Sequence, residues 1–405
     1  MSFKQDIFTM NHPQMNIRFT YPILIFFLII LSCSLEEIGA NKKTDAQHLV
    51  NSYHHYIFTG RILGAIANGS SSRMQNYTFH NVEATKIIYK TKTIDQVDIF
   101  ASGIILIPKT TGTPIVVSYQ HQGDLIKKRT APSLSKMGAN ELSHAAIIVS
   151  TGFIVLVPDY LGYGDSKHKN HSFEHKASLA QNGLDFIKAS KEYLNIKKIK
   201  TDNKISLVGY SEGALASLAM HQLIEKNEEI LINKSIAGEG LFLKNIWVKD
   251  LLLNNQDHGD LKYFLKLVES YKSIYPKLSN SWNYYLTDVY SDIMNSGIQI
   301  DSLEFKSINS ESVFNIDFIN GVLSGKDVDF IEALAFNEID SWETKSSVTL
   351  FYNKNNQINF LNQAKSFKKS FEEFDTPIKL KINEESLYEN PVLPFILKAI
   401  EELHY

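Results

Sequence analysis

Gly209-Tyr210-Ser211-Glu212-Gly213 is a G-x-S-x-G run set between the apolar stretch Lys204-Ile205-Ser206-Leu207-Val208 and a segment of helical spacing over 212–224. A serine held on a sharp strand-to-helix turn presents its hydroxyl outward. It can attack a carbonyl carbon and form a covalent intermediate once a neighbouring base takes its proton. The two glycines let strand and helix approach closely. An ordinary serine in a glycine-rich turn is the plainer reading, and the flanking strand and helix argue against it.

Such a turn has to be held by regular elements, and the periodicity supplies them. Residues 82–89, 100–108 and 114–119 alternate or run apolar with β-branched side chains, as strands do. Helical spacing over 140–150 precedes a strand at 153–158, and helical spacing over 171–194 precedes the strand at 204–208. Short apolar strands separated by helices predict a mostly parallel central sheet covered on both faces. From 243 to 342 the strand rhythm stops, and the stretch is helical in period and rich in Leu, Tyr and Asn, as an inserted cap would be. Strands return at 347–352 and 377–382, with helices at 360–374 and a terminal one to Leu403. An amphipathic stretch at 48–63 reads as an N-terminal helix.

Four stretches carry a resemblance: Val117-Ser118-Tyr119-Gln120-His121, Val157-Pro158-Asp159-Tyr160-Leu161-Gly162-Tyr163-Gly164-Asp165-Ser166, His175-Lys176-Ala177-Ser178-Leu179-Ala180, and the turn from Gly209 to Ala214. Together they make the chain similar to α/β-hydrolases of the secretory lipase/esterase type. The resemblance implies an α/β-hydrolase core over 76–242 and 343–405, with a helical cap insertion over 243–342. It implies Ser211 as nucleophile acting on carboxylic esters. Backbone N–H groups of Gln122 or Gly123 and of Glu212 would form the oxyanion hole, donating to the charge that develops on the attacked carbonyl oxygen. Where the family commonly has His-Gly after the strand, this chain has His121-Gln122.

Two further positions depart from the family pattern. The acid should follow the strand after the cap, and Tyr352-Asn353-Lys354-Asn355-Asn356-Gln357 puts Asn356 there. The histidine should precede the terminal helix, and that position holds Tyr388. A tyrosine with an ordinary pKa near 10 is a poor proton acceptor at neutral pH. The histidines after Ser211 are His221, His258 and His404. His221 lies about 15 Å along the following helix at 1.5 Å per residue, and His404 lies about 24 Å beyond Tyr388 by the same rise. His258, in the expected cap, is the candidate substitute base. His121, His168, His171 and His175 come from upstream loops and read as surface or supporting residues. Glu239, after the strand at 235–238, is either an alternative carboxylate for the site or a solvated loop residue. The sequence therefore supports an ester hydrolase with an unassigned base, and beside it a catalytically inactive relative that binds an apolar ligand or partner.

The chain has 405 residues, a formal net charge of −3, 44% apolar and 21% charged residues. That composition is globular, and the balanced charge gives no reason to expect nucleic acid. No phosphate loop or clustered metal-ligand spacing occurs, so neither cofactor nor metal is expected. The single cysteine, Cys33, follows the apolar run Ile23–Leu31, with Arg18 upstream. This run is short of the about 20 residues a membrane span needs, and has the layout of a signal peptide over 1–32. Ile30-Leu31-Ser32-Cys33 resembles a bacterial lipobox, which implies a lipidated Cys33, a tether and N-terminal extension over 33–75, and anchoring in the cell envelope. A plain signal peptide with an incidental Cys33 is the other reading. The sequence sets no oligomeric state.

Overall fold

The computed structural model describes residues 46–405 apart from 71, 124–138, 228–229, 255–257, 304, 306–308, 355–359, 377 and 385–390. Nine strands form one sheet: β1 (Leu49–Phe58), β2 (Val82–Lys92), β3 (Asp98–Pro108), β4 (Val116–Gln120), β5 (Ile154–Pro158), β6 (Lys204–Tyr210), β7 (Leu231–Gly238), β8 (Ser347–Asn353) and β9 (Ile378–Asn383). Their spatial order is β1-β2-β3-β5-β4-β6-β7-β8-β9. The first three strands form an antiparallel meander that joins β5 antiparallel, and every pair from β5 through β4 to β9 is parallel.

The helices in chain order are α1 (Gly60–Ser70), α2 (Ala139–Ser150), α3 (Lys176–Ile196), α4 (Glu212–Asn227), α5 (Lys244–Asn254), α6 (His258–Ile274), α7 (Trp282–Tyr285), α8 (Asp288–Asn295), α9 (Ser310–Val313), α10 (Ile316–Leu323), α11 (Val328–Phe336), α12 (Leu361–Lys369) and α13 (Val392–His404). Helices α5 to α11 all lie between β7 and β8 in the chain.

Strand periodicity sorts the core into two layers. Ile154 and Leu156 of β5, with Ile205 and Leu207 of β6, pack with Phe186 of α3 and Leu215 of α4. Val155 and Val157, with Val208 and Tyr210, pack on the other face with Ile148 of α2 and Ile396 and Ile400 of α13. Successive side chains of a strand point to opposite faces. A parallel strand buried on both faces must therefore be largely apolar, as β5 is throughout and β6 is apart from Lys204 and Ser206. β9 closes one edge with alternating burial and carries Lys379 and Lys381 on that edge, a pattern that discourages pairing with another chain.

The stretch at 48–63, expected as a helix, instead forms β1 followed by the start of α1. His48 and Leu49 are tied down through their backbone N–H groups, which donate to the Glu192 carboxylate of α3. Pairing with β2 from Leu49↔Tyr89 to Phe58↔Val82 satisfies the backbone of this stretch and overrides its helical apolar spacing. Among the described residues no helix is long and apolar enough to cross a membrane.

Candidate active site

β6 ends at Tyr210, α4 begins at Glu212, and Ser211 between them has φ +55°. The left-handed region is costly for a residue with a Cβ, on the order of 1–3 kcal/mol, and persists where the surroundings fix it. Here the Ser211 N–H donates to the Gly238 carbonyl at the end of β7, at 2.8 Å, while the Ser211 carbonyl accepts from Ala214 N–H at 2.9 Å. The serine is half-buried at the carboxyl ends of the parallel strands. Ligands of open α/β sheets bind at that end.

Gly213 packs the first turn of α4 against the end of β4: a Cβ there would lie 2.0 Å from the Gln120 carbonyl oxygen. The chain leaving β4 then passes over Glu212. A Cβ on Gly123 would lie 2.0 Å from Glu212 Oε2. The two segments expected to supply oxyanion donors, Gln122-Gly123 and Glu212, are therefore neighbours beside the serine turn. Tyr160, from the long motif after β5, steadies this corner. Its hydroxyl donates to the His121 carbonyl at 2.8 Å, and its ring stacks on the His121 imidazole at 4.2 Å. Burial pushes the His121 pKa down.

The side chain of Glu212 reaches into the protein interior, its Oε2 against Gly123. It is fully buried and accepts from His171 Nε2 at 3.0 Å and from the Glu174 N–H at 2.8 Å. Burial alone would raise this carboxyl, but the His171 and Glu174 contacts together hold it below its ordinary pKa. His171 Nδ1 faces the Leu161 carbonyl at 3.0 Å. Both ring nitrogens are thus engaged, one on the Leu161 carbonyl and one on the Glu212 carboxylate, rather than on Ser211.

From there the network runs into the helices between β7 and β8. Glu174, itself at φ +58°, is fully buried and pairs with Lys244 at the start of α5 at 2.9 Å. Tyr263 of α6 donates to Glu174 Oε1 at 2.6 Å, and Tyr271 to the Glu174 carbonyl at 3.3 Å. Lys244 also donates to the carbonyls of Leu241 and Asn337. None of these partnerships has a short sequence motif. His171, Glu174 and Lys244 look like loop and surface residues until the fold buries them.

The other histidines separate by environment. His221 is buried, with Nδ1 against Ser235 Oγ at 2.8 Å and Nε2 against Glu225 Oε1 at 2.8 Å. His404 packs on the rings of Tyr77 and Phe153. Both are structural. His258 opens α6, and its side chain lies outside the described residues, as do Asn356, Tyr388 and Cys33. Among the described residues nothing hydrogen-bonds the Ser211 hydroxyl.

Glu239 is not the solvated residue that its loop position suggested. It is 3% exposed and sits at φ +50° directly after Gly238, whose carbonyl holds Ser211 N–H. Its Oε1 accepts from Asn353 N–H at 2.6 Å and Asn353 Nδ2 at 2.8 Å. Two strained non-glycine residues thus stand at the ends of adjacent strands. Among the described residues no group of three or more acidic, histidine or cysteine side chains could hold a metal.

The strand order, the antiparallel start and a serine at positive φ after β6 settle the architecture. The fold is the α/β-hydrolase fold. The profile of the secretory lipase family matches residues 131–227, which include α2, the long motif and the serine turn. Among solved structures, a Legionella pneumophila protein assigned as a hydrolase is 20% identical, with a TM-score of 0.77 over 88% of this chain and 97% of its own. The rice cell wall degrading esterase LipA from Xanthomonas oryzae is 19% identical, with a TM-score of 0.73 over 89% and 97%. Lipase A from Candida antarctica is 17% identical, with a TM-score of 0.57 over 85% and 78%. No curated protein matches the chain by sequence.

Proposed function

We propose that this α/β-hydrolase is an exported carboxylic-ester hydrolase whose nucleophile is Ser211. The observation that carries the reading is the serine at φ +55° on the turn between β6 and α4, with the end of β4 packed against the first turn of α4. The match to a secretory lipase profile and the likeness to an esterase and a lipase support the same reaction class and export. In the reaction, Ser211 Oγ bonds to the acyl carbon while its proton passes to a base. Donors from Gln122 or Gly123 and from Glu212 hold the oxyanion, worth about 10²–10³ in rate per donor in a well-studied protease. Collapse of the adduct breaks the ester C–O bond and the alkoxide leaves with a proton; water then releases the acid from Ser211. His258 is the proposed base. The helices between β7 and β8 form the cap over the substrate, and a lipidated Cys33 ties the chain to the envelope.

A second reading, a pseudo-hydrolase that binds an apolar ligand or partner without turnover, is favoured by one observation. The Ser211 hydroxyl has no hydrogen-bond partner among the described residues, while His171, His221 and His404 are engaged elsewhere. A fluorophosphonate probe separates the two. Labelling and turnover of a p-nitrophenyl ester, both abolished in Ser211→Ala, are expected for the hydrolase. Absence of labelling in the wild-type protein assigns it to the second reading. For the anchor, Cys33→Ala is expected to move the protein from the membrane fraction into the soluble fraction.

A further inference from the structure

A cleft of about 630 Å³ lies apart from the serine turn. It is bounded by the turn after β2, the first turn of α3, one side of α4, and Ile274, Tyr275 and Phe336 of the helical insertion. Small-molecule sites generally measure about 300–1,000 Å³ and are mainly apolar with a few placed polar groups. Along α4 its lining residues run from Ala219 to Lys226, about 12 to 22 Å of helix beyond Ser211.

The walls are of three kinds, one of them the neutral polar side chains of Thr93, Gln96, Ser178, Gln181 and Gln222. Ala180, Ala219, Leu223, Ile274, Tyr275 and Phe336 make an apolar body. Lys92, Lys176 and Lys226 supply the charge, and no carboxylate is among the lining residues. Lys176 is held by the Glu338 carbonyl, and Lys92 shares Asp98 in an exposed pair at 2.9 Å. Exposed pairs of that kind are weak and exchange readily for another carboxylate. The 21-residue helix α3 adds the positive end of its dipole, with no acidic residue in its first turn. His175, its N-cap, contributes an imidazole that burial keeps neutral.

We infer that this cleft binds a single-chain amphipathic anion, a carboxylate with an aliphatic tail, whose head meets Lys226 and Lys92 and whose tail lies along Leu223, Ile274 and Phe336. An apolar body with lysines and no acid in its lining matches one charged head on one greasy chain. This site is separate from the ester chemistry proposed for Ser211 and does not depend on it.

The test is calorimetric titration of the purified protein with dodecanoate below its micelle concentration. One site per chain is expected, weakened about tenfold or more by Lys92→Glu with Lys226→Glu and by the cleft-filling Gln222→Trp. Ser211→Ala should leave it unchanged, and 1-dodecanol should bind about tenfold more weakly than dodecanoate. Thermal unfolding of each variant confirms that these changes at the cleft rim leave the fold intact. Absence of binding, equal affinity for the alcohol, insensitivity to the cleft substitutions, or loss of binding in Ser211→Ala would each overturn the assignment.

Discussion

Lys244 and Glu174 face each other at 2.9 Å with neither side chain exposed. The pair ties the first residue of the helical insertion to the loop ahead of α3, and the Glu174 N–H continues the link to the Glu212 carboxylate. Burial pushes the Glu174 carboxyl up, against the pull of Lys244 and the Tyr263 hydroxyl.

Removing one member of this pair leaves a buried charge alone. Lys244→Ala is expected to lower stability by about 3–5 kcal/mol, read as the urea midpoint. Lys244→Met combined with Glu174→Gln, which leaves no charge unpaired, should recover much of the loss. A single substitution costing less than about 1 kcal/mol would show that the pair is not isolated from water.

Gly123 admits no side chain without moving Glu212. Gly123→Ala is therefore expected to displace the proposed oxyanion segment and slow fluorophosphonate labelling of Ser211 by about 10²-fold. Circular dichroism should show the fold retained. Gly213→Ala, which meets backbone at Gln120, should instead lower expression and the unfolding temperature.

His221 holds Ser235 and Glu225 between α4 and β7, away from the serine turn. His221→Leu should cost about 1–3 kcal/mol through the unsatisfied partners it leaves. Labelling of Ser211 at low temperature should match the wild-type protein. Loss of labelling in a folded variant would return His221 to the list of bases.

Burial raises the Asp159 carboxyl to about 7, with Ser102 donating to it and Lys86 pulling the other way. A raised folded-state pKa means that the folded protein holds the proton where the unfolded chain has lost it. The group's stabilising contribution is full below about pH 4 and is lost as pH rises towards about 7. His144 and His175, lowered to about 4 by burial, act oppositely: their contribution is present above about 6.5 and is lost as pH falls towards 4. Asp159→Asn should therefore make stability rise more steeply from pH 4 to 7 than in the wild-type protein, measured by urea unfolding across that range. Parallel curves would mean that Asp159 keeps an ordinary pKa.

Much of the sheet was legible because strand periodicity is local. The run at 153–158 is apolar at every step and that at 204–208 carries Ile205, Leu207 and Val208, and both became central strands buried on both faces. The stretch at 48–63 was misread because its apolar spacing fits a helix, while its pairing with β2 depends on residues 24 to 40 positions away. The choice left open for Glu239 turned on a similar distant contact. A lone carboxylate after a strand is usually solvated, and only the arrival of Asn353 from β8 encloses it.

The chain's own order of residues determined that a serine would stand on a sharp turn between a buried strand and a helix, because glycines at 209 and 213 and the apolar flanks act over a few residues. Tertiary structure alone decided which charged groups lie beside that turn. His171, Glu174 and Lys244 come from separate elements and acquire meaning only when folding removes water from all three. In that low-dielectric setting each must find a partner, and the partners they found are one another, the Glu212 carboxylate and nearby carbonyls.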